Sequence, residues 1–65
     1  MELQKAKSII EQLTGKHITI EKCFCTGRVF ENLICDGVQL FTPFQLKHLD
    51  NDDVMNAINY INERR

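Results

Sequence analysis

Apolar residues recur at three- and four-residue spacing at the start of this chain, switch to a near-alternating pattern in its middle, and return to helical spacing at its end. Leu3, Ala6, Ile9, Ile10 and Leu13 fall on one side of a helical wheel, so residues 2–14 are predicted to form an amphipathic helix. Gly15 follows the last apolar position, where a left-handed cap is favoured, and Lys16 adds a cation at that end. Residues 17–24 (HITIEKCF) and 28–35 (RVFENLIC) are rich in β-branched and aromatic types and read as strands. Thr26-Gly27 between them suits a two-residue hairpin turn. Asp36-Gly37 is a stronger signal of the same kind, leading into a third strand at 38–41 (VQLF).

The two turns can be tested against each other through the register they impose. The first sets Cys25 opposite Arg28, Lys22 opposite Glu31, Ile20 opposite Leu33 and Ile18 opposite Cys35. The second sets Cys35 opposite Val38 and Leu33 opposite Leu40. One face then collects Ile18, Ile20, Phe24, Val29, Leu33, Cys35, Val38 and Leu40. Its single polar rung, Lys22 with Glu31, is charge-complementary. Two independent turns thus agree on one apolar face of a three-stranded antiparallel meander.

Beyond the third strand, Thr42-Pro43-Phe44-Gln45 places a capping threonine, a proline at the first helical position and a glutamine that closes a capping box. A short helical turn through Leu49 is expected. Asp50 caps a second start, with Asp52 and Asp53 favourably placed in its first turn. Val54, Ala57, Ile58 and Ile61 form the stripe of a last helix reaching about residue 63. The expected fold is α+β: a two-layer α-β-β-β-α arrangement, with the meander covered by two helices on one face.

Length limits what such a fold can do. Sixty-five residues make one small domain, 1–65, with no material for a second domain and little for a deep substrate pocket. Apolar residues are 43% of the chain and charged ones 26%, with a net charge of −1, so a folded domain is expected rather than a disordered one. No apolar run approaches the roughly 20 residues that span a bilayer, so no membrane is expected. The segment MELQKAKSIIEQL lacks the pattern of a signal peptide. With three cysteines, an odd number, the expectation is a cytoplasmic protein with reduced thiols.

Candidate chemistry is sparse. Cys23, Cys25 and Cys35 with a histidine contain the ligand types of a zinc site. Cys-x-Cys is tighter than the usual knuckle, however, and Cys35 lies roughly 23 Å from the hairpin tip on the other face of the sheet. No metal and no cofactor are expected. The Asp50–Asp53 run lacks the glycine and the glutamate of a calcium loop, with Ile61 at the twelfth position. Nothing brings His17 or His48 to a nucleophile, and no enzymatic activity is expected.

The second sheet face is the more informative feature. It carries Thr19, Glu21, Cys23, Cys25, Arg28, Phe30, Asn32, Ile34, Gln39 and Phe41. If both helices cover the first face, Phe30, Ile34 and Phe41 stand exposed with the thiols of Cys23 and Cys25 and form a partner-binding patch. If residues 42–49 fold back, Phe44, Leu46 and Leu49 cover them instead. The function expected is a non-enzymatic protein-binding module: a regulator, inhibitor or adaptor, mobile-element products among them. It would act on a protein partner or by self-association, through a sheet face, a helix surface or a strand edge.

The α-β-β-β-α order and the length resemble those of the double-stranded RNA-binding domain. The resemblance covers the whole chain and is one of topology. It implies phosphate binding by a basic cluster at the start of the last helix. This chain carries Asp50, Asp52 and Asp53 there, with Lys47 nearby, and an acidic field repels phosphate. Lys5, Lys7, Lys16 and Arg28 are left to make a weak basic patch. Nucleic acid therefore ranks behind protein as the partner.

Overall fold

In the computed structural model of the chain, which describes residues 1–64 apart from the side chain of Cys25, six elements follow one another. They are α1 (Leu3–Thr14), β1 (Thr19–Cys25), β2 (Arg28–Cys35), β3 (Val38–Gln39), α2 (Pro43–Lys47) and α3 (Asn51–Glu63). The strands form one antiparallel sheet in the order β1-β2-β3. The register is the one the turns impose: Cys25 pairs with Arg28, Lys22 with Glu31, Ile20 with Leu33, and Cys35 with Val38. Both turns hold positive φ at their two central residues, Thr26 at 49° and Gly27 at 76°, then Asp36 at 51° and Gly37 at 80°. That is the backbone which continues the right-handed strand twist through a two-residue loop. Thr26 is β-branched and pays a steric cost there that asparagine or aspartate would reduce.

β3 ends two residues earlier than its sequence pattern suggests, and the Asn32 side chain is the reason. The Leu40 N–H still donates to the Leu33 carbonyl at 3.0 Å. The reciprocal donor, the Leu33 N–H, turns instead to Asn32 Oδ1 at 2.8 Å, while Asn32 Nδ2 donates to the Phe41 carbonyl at 2.7 Å. The amide takes over the ladder where the third strand peels away, pairing the Leu33 N–H and the Phe41 carbonyl.

α1 and α3 cover the Ile18/Leu33/Cys35 face. Ala6 and Ile10 of α1 meet Val54, Ala57, Ile58 and Ile61 of α3 over that face, and Phe41 and Leu49 close the cluster from the connecting segments. Met1 donates its N-terminal nitrogen to the Leu49 carbonyl at 2.9 Å, beside the start of α3. Lys16, just after α1, shares a depression with Arg64, just after α3. The two helices therefore run in the same direction. The buried row of α1 is Ala6, Ile10 and Thr14, spaced by four. Leu13 lies off that row and is exposed, against the expectation for its stripe. Thr14 is buried in its place, its hydroxyl donating to the Ile10 carbonyl at 2.6 Å. Both capping boxes form: Gln45 N–H donates to Thr42 Oγ1 at 3.2 Å and Asp53 N–H to Asp50 Oδ1 at 3.0 Å. The Lys16 N–H donates to Thr14 Oγ1 at the end of α1 at 3.2 Å, and its Nζ lies 3.5 Å from Asp36 Oδ2 at the second turn.

Glu11 ties α1 to the start of the sheet. Its carboxylate accepts from the Ile18 N–H at 3.1 Å and lies 3.3 Å from Lys7 Nζ and 3.6 Å from His17 Nδ1. The Ile18 hydrogen bond, with help from Lys7, holds its pKa below the ordinary carboxylate value against partial desolvation. A carboxyl that is more acidic folded than unfolded stabilises the fold above its unfolded pKa, and this contribution disappears as pH falls through the folded pKa. Chemical denaturation from neutral pH into the acid range should show wild type more stable than Glu11→Gln at neutral pH, with the gap closing as Glu11 protonates. A gap independent of pH would contradict this.

Candidate functional site

Helix cover reaches only part of the way along the hairpin. Ile18 and Leu33 are fully buried and Ile20 is half-buried. Beyond them comes the exposed Lys22–Glu31 rung, and beyond that Phe24 opposite Val29. Phe24 is 80% exposed and Val29 55%. Both were expected in the core by alternation, as was Val38, which is also exposed. The correction has a simple physical cause. The apolar stripes of α1 and α3 have nothing to bury against a charged rung, so the packing stops there and the hairpin end overhangs.

The second face is less open than its sequence pattern suggests. Phe41 is 3% exposed and belongs to the core cluster. Cys23 is 8% exposed, its Sγ lying 3.7 Å from the Glu21 carbonyl. Phe30 and Ile34 are half-buried, and Asn32 between them is wholly buried. The side chain of Cys25 lies outside the described residues. Phe30, Ile34, Phe41 and Cys23 therefore do not form an open patch. Leu49 belongs to the core cluster that holds Phe41 and Leu46 packs against it, while Phe44, the third residue of the covering alternative, remains 76% exposed.

What the fold builds instead is a groove. Thr26, Arg28, Val29 and Phe30 from the hairpin end face Pro43, Leu46 and Lys47 of α2 across an open depression of about 600 Å³. Its lining is mostly apolar and its charged residues are the cations Arg28 and Lys47, neither in an ion pair among the described residues. Phe44 stands exposed on α2 beside it, its ring 6.4 Å from that of His48 in an edge-to-face arrangement. The pattern of strands and helices did not disclose this groove, because the path of residues 42–49 decides it. The Lys22–Glu31 rung was the available signal that helix cover would end before Phe24.

Elsewhere the chemistry is quiet. Among the described residues no group of three or more His, Cys, Asp or Glu side chains is placed to hold a metal ion. Burial pushes the Cys35 thiol up, with Asp36 adding to the effect, so it holds its proton more firmly than an ordinary cysteine. At the start of α3 the carboxylates of Asp50 and Asp53 are engaged in capping, and Asp53 also accepts from Gln45 Nε2 at 3.3 Å. Among the described residues no helix is long and apolar enough to cross a membrane. No family model, curated protein or solved structure matches this chain.

Proposed function

We propose that this chain is a small non-enzymatic protein-binding module, a cytoplasmic regulator, inhibitor or adaptor, that docks its partner on the overhanging hairpin end and the adjoining face of α2. The observation that carries this reading is the Phe24–Val29 pair, two large apolar side chains opposed across strands and left bare beside an apolar groove. Apolar surface concentrated in this way on so small a domain marks interfaces. Phe44 extends it. The Thr26 backbone supports the reading, since a strained turn at a loop tip is a feature functional sites retain.

A different protein is favoured over a second copy. β1 is an edge strand, and a two-fold antiparallel pairing centred on its middle would set Lys22 or Glu21 against its own copy. Nucleic acid is disfavoured by the carboxylates that open α3 and by a groove lining that is mostly apolar, with two cations in place of a basic stripe. The test is affinity capture from host lysate at physiological salt, before and after nuclease treatment. A protein retained after nuclease supports the reading. Co-purifying RNA or DNA, with all bound material released by nuclease or salt, overturns it.

A further inference from the structure

We infer that the groove between the hairpin end and α2 takes an extended segment of the partner in which an aliphatic or aromatic anchor is flanked by carboxylates. This rests on the protein-binding reading and adds the chemistry of the occupant. The apolar part of the lining, Val29, Phe30, Pro43 and Leu46, offers a side chain a seat but few polar groups to recognise it. Direction and selectivity must therefore come from the charged residues of the lining, Arg28 and Lys47.

Electrostatics then selects the flanks. Neither cation is neutralised by an ion pair among the described residues. A neutral segment laid over the groove would strip water from both without replacing it. A basic segment would add repulsion. A segment with aspartate or glutamate on either side of its anchor offsets the desolvation and gives Arg28 a planar, two-pronged partner. Two cations among seven lining residues do not make the continuous basic track that a nucleic-acid backbone follows. Arg28, which the sequence leaves to a weak basic patch, thus becomes a selectivity element together with Lys47.

The experiment is selection of a random-peptide phage library on the full chain, followed by anisotropy titration of an enriched peptide and, separately, of a short RNA duplex. The expected result is enrichment of sequences with an apolar anchor between acidic residues. Binding should weaken about tenfold or more in the double variant Arg28→Glu, Lys47→Glu. Both positions are exposed, so circular dichroism should show the fold unchanged. Selection on that variant should turn to basic flanks. Enriched peptides without carboxylates, or affinity unmoved by the double reversal, would overturn the inference. If such peptides still lose binding on Val29→Glu, the protein-binding reading stands without it. No peptide enrichment, with tight duplex binding that the reversal abolishes, would overturn both.

Discussion

Leu33→Ala should lower the stability of this protein by about 2–5 kcal/mol, enough to leave much of it unfolded at physiological temperature. Leu33 is wholly buried at the centre of the middle strand, paired with Ile20, and it belongs to the cluster where α1 and α3 meet the sheet. Removing its branched end opens a cavity between the helices and the sheet that the close-packed surroundings cannot collapse to fill. A domain of this size holds a net stability of only about 3–5 kcal/mol, so the loss is comparable with the whole margin. Thermal melting should show a midpoint lower by about 10 °C or more. A shift of a degree or two would mean that the helices do not pack on this face.

Asn32→Asp should be comparably severe, at about 3 kcal/mol or more. The change is nearly isosteric, which isolates its chemistry. The Asn32 side chain is wholly buried, donates to the Phe41 carbonyl and accepts from the Leu33 N–H. A carboxylate keeps the second bond, loses the first, and faces the Phe41 oxygen with a buried negative charge. Burial raises the folded pKa of the introduced acid above its unfolded value, so the penalty is full at neutral pH and shrinks as pH falls through the folded pKa. Stability of the variant relative to wild type should recover in acid, because protonation here removes a penalty, whereas protonation of Glu11 removes a stabilising contribution. A neutral-pH loss below about 1 kcal/mol would show that the amide does not replace the ladder.

Local chemistry made most of this fold legible in the sequence. Thr26-Gly27 and Asp36-Gly37 fix the hairpins, Lys22–Glu31 confirms their register, and the Thr42–Gln45 box and the Asp50 cap start the two later helices. Each is a relation between residues a few positions apart. The candidate site was less legible, because it depends on where packing stops. Alternation assigns Phe24 and Val29 to the same face as Ile20 and Leu33, and only the reach of α1 and α3 separates exposed from buried. Phe41 reads as a second-face residue by alternation, yet Asn32 ends the ladder beside it and the chain carries it into the core. An asparagine inside a strand has many explanations, so its role as a substitute for backbone pairing emerges only once the third dimension is known.

The overhanging hairpin as the docking surface is tested most directly by carrying Val29→Glu beside wild type through the same nuclease-treated capture, with circular dichroism on both. Val29 is largely exposed, so the variant should fold as wild type does, while a charge at the centre of the apolar surface should abolish retention of the captured protein. An unchanged fold with the same protein captured in the same yield would contradict the account and move the interface elsewhere on the molecule.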